Sequence, residues 1–179
     1  MNFEKCIEFL REEGCNESVI KHSISVFGLS LYIASRIALN NYKINFDLLA
    51  EGALLHDIGR SKTHSVKHGY IGAEIIRRKG LGEKLALIVE RHVGAGITAD
   101  EAKRIGLPEK NYIPETIEEK IICYADKLVF SNRIGTVKEV VNLFKKDLGE
   151  NHPAIKRFLA LHKEIKELIG EKTTNPKLK

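Results

Sequence analysis

The chain has 179 residues, of which 43% are hydrophobic and 30% charged, with a formal net charge of +5. That length suits one domain with a sizeable core, and the composition is that of a soluble globular protein rather than a disordered or fibrous one. No apolar run reaches the roughly 18 residues a membrane span requires, and the acidic N-terminus "MNFEKCIEFLREEG" lacks a signal peptide's basic region and apolar core; a cytoplasmic protein without a membrane partner is expected.

Nearly every apolar pattern recurs at helical rather than alternating period, which predicts an all-α fold. A first helix is expected over "FEKCIEFLREEG", with Phe3, Ile7 and Leu10 on one stripe and Gly14 as its stop. Asn16 is placed to cap a long second helix, "ESVIKHSISVFGLSLYIASRIALN", whose apolar seam includes Val19, His22, Val26, Leu29 and Ile33. After the break "NNYKIN", Asn45 caps a third helix, "FDLLAEGALLHD". A polar loop after Gly59 leads into "SVKHGYIGAEIIRRKG" and then "GEKLALIVERHVGAG", both ended by glycine. Thr98 opens a short helix, "TADEAKRIGL", and "PEKNYIP" is a loop before the helix "ETIEEKIICYADKLVFSN". Two further helical patterns follow, "VKEVVNLFKKDL" and "PAIKRFLALHKEIKELIG". With no tandem repeat and no linker, residues 1–170 are expected to form a single compact helical domain, and residues 171–179 a disordered tail.

Cys6, Cys15 and Cys123 are odd in number and lack CxxC spacing. They read as reduced thiols, with Cys123 in core packing rather than on a metal. The positive balance is compatible with a polyanionic ligand. No RNA-binding signature or long basic run is present, so nucleic acid is not indicated, and no oligomeric state is assigned.

Candidate chemistry gathers in the middle of the chain. Of seven histidines, His22, His56, His64, His68 and His92 lie among the central helices, whereas His152 precedes Pro153 at a helix start and His162 sits on a charged late helix. A lone histidine such as His22 on an apolar seam is more often a core group bonded to a carbonyl. His56-Asp57 differs, because two coordinating groups end a helix directly after "GALL". Neighbouring side chains on a helix diverge by about 100°, so both reach one ion only near a helix end or across a cleft. Asp126 stands on an apolar helical face in "CYADKL", where a carboxylate is costly unless a cation pairs with it.

His22, the doublet His56-Asp57 and the distant Asp126 match the H…HD…D pattern of the HD-domain superfamily of metal-dependent phosphohydrolases, and "HDIG" is a common form of its doublet. The resemblance covers about Glu17 to Asn132. His68 in "KHGYIGAEI" and His92 in "VERHVGAG" resemble the two extra histidines of the dinuclear branch, which includes the HD-GYP phosphodiesterases and the HD-type diadenosine tetraphosphate hydrolases. The resemblance implies an HD-domain-like helical fold in which His22, His56, Asp57 and Asp126 hold one metal. Asp57 would bridge to a second, held by His68 and His92. Some dinuclear relatives carry a histidine directly after the one matching His92, where this chain has Val93.

A nitrogen and oxygen donor set without thiolate suits two divalent transition ions drawn from Mn, Fe, Co, Ni or Zn. The implied function is hydrolysis of a nucleotide or related small phosphate ester, diester or monoester, by a metal-activated hydroxide. Arg60 and Lys127 are expected to offset phosphoryl charge, with Lys62, Lys67, Arg91 and Arg133 in the same region as solvated cations. His64, four residues before His68, could substitute as the ligand or contact substrate; contact is expected, and from there it could give the leaving group its proton. Two alternatives keep the same ligands. A di-iron oxygenase would consume O₂ and leave phosphate esters intact; a non-catalytic nucleotide- or RNA-binding module would bind without turnover.

Overall fold

The computed structural model describes residues 1–131 and 133–170. Among these, nine helices run in chain order: α1 (Phe3–Glu12), α2 (Glu17–Ala38), α3 (Phe46–Leu55), α4 (His68–Arg78), α5 (Glu83–Arg91), α6 (Ala99–Arg104), α7 (Ile117–Leu128), α8 (Val137–Leu148) and α9 (Pro153–Leu168). A 3-10 turn, Ile58–Ser61, follows α3, and a hairpin of β1 (Val129–Phe130) and β2 (Arg133–Ile134) follows α7. The fold is all-α apart from that antiparallel pair. No described helix is long and apolar enough to cross a membrane.

Helix starts are set by local chemistry. The side chains of Asn2, Asn16, Asn45, Thr98, Thr116 and Thr136 each accept a hydrogen bond from the backbone N–H three residues on, satisfying a donor that has no helical acceptor. Thr98 and Thr136 complete reciprocal capping boxes with Glu101 and Glu139. His152 caps α9, accepting from Ala154 N–H ahead of Pro153 in the first turn.

The helices pack around two apolar clusters. One joins Cys6, Leu10, Ile20, Leu54, Leu55, Ile58, Ile76 and Val89, so it unites α1, the first turns of α2, the end of α3, α4 and α5. The other joins Val26, Ile33, Leu49, Ile88, Ile121, Ile122, Phe144 and Phe158, uniting the rest of α2 with α3, α7, α8 and α9. Helix α2, about 33 Å long at 1.5 Å per residue, serves both, and His22 lies between Ile20 of one cluster and Val26 of the other. Gly52 lets α3 approach its neighbours closely, since a Cβ there would fall 2.8 Å from Ile88 Cγ2 and 2.9 Å from Ile122 Cδ1. All three cysteines are buried and free; Cys123 packs in the second cluster, and burial pushes its thiol up to about 12.

Several expectations need correction. The helix around "KHGYIG" begins at His68 rather than Ser65, because Ser65 C=O accepts from His68 N–H in a preceding turn. The helix carrying Asp126 stops at Leu128, where Val129 becomes extended and the β-branched and aromatic pair Val129-Phe130 starts the hairpin. Phe3 is 38% exposed and lies against the Phe27 ring rather than in the core. A Cβ on Gly59 would sit 1.9 Å from the His68 carbonyl oxygen, so glycine there lets the 3-10 turn touch α4. The expected tail, 171–179, lies outside the described residues.

Candidate metal centre

Five helices deliver six side chains to the seam between the two clusters. Asp126 Oδ1 lies 2.8 Å from His22 Nε2 and 3.5 Å from His56 Nε2, linking α7, α2 and the end of α3. Asp57 Oδ1 lies 3.2 Å from His68 Nε2 and 3.4 Å from His92 Nε2, while its Oδ2 lies 3.8 Å from His56 Nε2 and 2.6 Å from Arg60 Nε. Donor atoms of His22, His56 and Asp126 all fall within 4.8 Å of one another, and so do those of His56, Asp57 and His92. The two oxygens of Asp57 thus face different groups of imidazoles.

Helix ends explain how the rings are aimed. His56 and His92 are the C-cap residues of α3 and α5, where the last carbonyls have no helical donor. Their Nδ1 atoms take up those carbonyls, at 2.8 Å to Ala53 O and 2.7 Å to Val89 O. His68 Nδ1 makes the same bond to Ser65 O at 2.7 Å. An Nδ1–H held this way leaves the Nε2 lone pair free, which is the tautomer a metal ligand needs.

The residues fit divalent ions on grounds internal to the fold. His56 Nε2 and Asp57 Oδ1 are buried without a hydrogen-bond partner among the described residues, an arrangement that costs free energy unless something else occupies those lone pairs. His68 Nε2 and His92 Nε2 stand 3.0 Å apart, with both Nδ1 atoms already committed to carbonyls. Cations at the seam would satisfy these atoms.

Burial pushes the Asp57 carboxyl up, but the charge of His56 and the closeness of the His68 and His92 rings outweigh it and hold the group well below the usual carboxylate range. Asp126 is held down in the same sense, its burial outweighed by the Lys127 charge and by His22 and His56. Burial also lowers His92 to about 4, so this ring is neutral at pH 7.

A cavity of about 440 Å³ opens onto the site, lined by Ser18, Val19, Lys21, His22, Asp57, Arg60, His64 and Ser131. Arg60 and exposed His64 line the opening. Lys127 does not line it; its ammonium is paired with Asp126 Oδ2. Other basic residues of the region are held elsewhere: Lys62 by the Glu13 carbonyl, Arg91 by Glu115 and Glu119, Arg133 by Glu139. Lys21 and Ser131 were missed by sequence reasoning. The only signal for Lys21 was its place beside His22; Ser131 had none, because the hairpin was read as helix.

The HD domain family model matches residues 19–130. An uncharacterized protein of Methanocaldococcus jannaschii is 47% identical over 169 residues, covering 94% of this chain and 99% of that one. The tRNA (cytidine(56)-2'-O)-methyltransferase of Picrophilus torridus is 40% identical over 93% of this chain, yet the chain spans only 47% of that enzyme's length. Among solved structures, the HD domain of the L. monocytogenes phosphodiesterase PgpH in complex with cyclic-di-AMP is similar in fold, with a TM-score of 0.54 and 18% identity over 97% of this chain and 100% of that one. The matched segment begins just before His22 and ends just after Asp126, enclosing every histidine and aspartate that the helices bring to the seam, and the chain belongs to the HD-domain family.

Proposed function

We propose that this protein is a metal-dependent phosphohydrolase acting on a nucleotide or related small phosphate ester. The observation that carries the reading is the convergence of four imidazoles and two carboxylates on one buried seam, with His56 Nε2 and Asp57 Oδ1 left without protein partners. His22, His56 and Asp126 would hold one ion, His68 and His92 a second, and Asp57 would serve both. Ions held there supply Lewis acidity toward phosphoryl oxygens and toward water near neutral pH.

The chain's own groups complete the reaction. Arg60 uses Nε on Asp57, and its terminal nitrogens, without a protein partner among the described residues, offset the charge growing on the phosphoryl oxygens. His64, on the cavity wall, gives a proton to the leaving oxygen. Lys127 acts at one remove by fixing the Asp126 carboxylate. The carbonyl bonds from Ala53, Ser65 and Val89 hold three rings in the ligand tautomer.

A second reading places the ester in RNA. It is favoured by the Picrophilus torridus relative, in which a segment like this chain forms part of a tRNA methyltransferase. One experiment addresses both: metal analysis of the purified protein, with a hydrolysis screen of nucleotides, cyclic nucleotides and short RNAs under Mn²⁺, Fe²⁺, Co²⁺, Ni²⁺ and Zn²⁺. Release of a phosphate ester product, lost in Asp57→Ala, is expected. An iron-loaded protein that consumes O₂ and leaves every ester intact would replace this reading with an oxygenase; tight binding without turnover would replace it with a sensing module.

A further inference from the structure

The cavity is wider than one phosphoryl group requires, and its lining is uneven. Among the described residues its lining has no Phe, Tyr or Trp, and Val19 is its one apolar side chain. The lining is therefore mostly polar and charged, which suits a phosphorylated ligand held through charged contacts. Its basic side chains come from separate elements. Arg60, on the 3-10 turn, is paired with the Asp57 carboxylate, and His64 stands on the following loop. Lys21 stands on α2, one residue before His22, and makes no ion pair within 4 Å among the described residues; Glu17, one turn away, feels its charge but is paired with Arg11 at 3.0 Å.

Ser131, the first residue after β1, lines the same cavity as Lys21. Its φ of +41° is a left-handed conformation that a side chain other than glycine or asparagine rarely adopts. A residue held so at a cavity rim costs free energy that glycine there would not, and such positions cluster at ligand contacts. Its hydroxyl has no hydrogen-bond partner among the described residues, whereas that of Ser18 already donates to Asn16 Oδ1 at 2.6 Å.

Resting on the phosphohydrolase reading, we propose that Lys21 and Ser131 form a second-phosphate subsite beside the scissile position. The substrate then carries a second phosphate next to the ester that is cleaved, and it is selected by that phosphate rather than by its base. Two sources share this chemistry: the neighbouring phosphate of a short oligonucleotide, and the second phosphate of a nucleoside bisphosphate.

The test is direct binding by titration calorimetry to the EDTA-dialysed full chain, so that its result does not depend on turnover. The probes are the dinucleotide pApA against ApA, pUpU against UpU, and adenosine 3',5'-bisphosphate against adenosine 3'-monophosphate. Wild type should bind at least one doubly phosphorylated member roughly tenfold more tightly than its counterpart, as a charge-assisted bond provides. Exchanging adenine for uracil should change affinity by less than about threefold, since Lys21 and Ser131 engage the phosphate and not the base. Lys21→Ala should collapse the discrimination, Lys21→Arg should keep most of it, and raised salt should weaken it. Ser131→Gly should reduce it while raising the melting temperature. Discrimination by pApA alone assigns an oligonucleotide source, and by the bisphosphate alone a mononucleotide source. Equal binding within every pair, or discrimination intact in Lys21→Ala, overturns the subsite. Failure of the phosphohydrolase reading appears separately, as absence of turnover in the metal-supplemented screen.

Discussion

Asp57→Asn isolates the residue on which the whole centre turns. The amide keeps the volume of the carboxylate but replaces one oxygen with an N–H donor that repels a cation. Asp57 contacts both imidazole groups, through Oδ1 at 3.2 Å and 3.4 Å from His68 and His92 and through Oδ2 at 3.8 Å from His56, so either amide orientation spoils one side. A divalent ion at a hundredfold excess over its Kd stabilises the fold by about 2.7 kcal/mol. For a domain of this size each kcal/mol moves Tm by about 2–4 °C, which gives a rise of roughly 5–10 °C in wild type. The variant should lose most of that increment. Its metal-free form should be weaker by about 1.5–3 kcal/mol, because Arg60, 2.6 Å away, loses a charged acceptor. Calorimetric melts of EDTA-dialysed protein with and without Mn²⁺, together with metal stoichiometry by emission spectroscopy, separate the two effects. A variant with the full wild-type increment and stoichiometry would refute the assignment of Asp57.

Gly59→Ala should destabilise the fold by at least about 3 kcal/mol and reduce metal binding, because its Cβ would meet the His68 carbonyl oxygen at 1.9 Å; urea titration and metal analysis check both. Glu90 is buried and held by Arg77 at 3.1 Å and Lys110 at 2.9 Å, so Glu90→Gln should cost about 3 kcal/mol in urea unfolding with little change in metal content. In EDTA-treated protein, His92 should make stability fall as pH drops from its ordinary 6.5 toward about 4. Over that window the unfolded ring takes up a proton that the folded ring refuses, so the contribution is complete above the unfolded pKa and lost at up to about 1.4 kcal/mol per pH unit. Chemical denaturation at successive pH values should show a shallower slope in His92→Asn, and an unchanged slope would count against a neutral buried ring.

Much of this architecture was legible because it is local. Helical period follows from side chains three and four residues apart, and the starts of α2, α3 and α6 follow from single capping residues, Asn16, Asn45 and Thr98. The spacing of His22, His56-Asp57, His68, His92 and Asp126 carried the family resemblance, and the helices bring all six to one seam. Local reasoning failed where a distant group decides. Val129-Phe130 continues the apolar run of the Asp126 helix in a pattern that helix and strand share, and the chain turns extended only there. "HDIG" points to a turn at Gly59, but the reason for glycine is α4 passing against it, which no neighbour in sequence reveals.

The sequence by itself determined which residues carry coordinating chemistry and the helices that present them, since period, capping and donor type are short-range properties. Only the tertiary structure decided which atoms meet: that the two oxygens of Asp57 face different imidazoles, that orphan carbonyls at the ends of α3 and α5 fix two rings as Nε2 donors, and that Lys127 is spent on Asp126 while Lys21 reaches the cavity. Those outcomes depend on distances between side chains as far apart in the chain as His22 and Asp126, which packing alone closes to 2.8 Å.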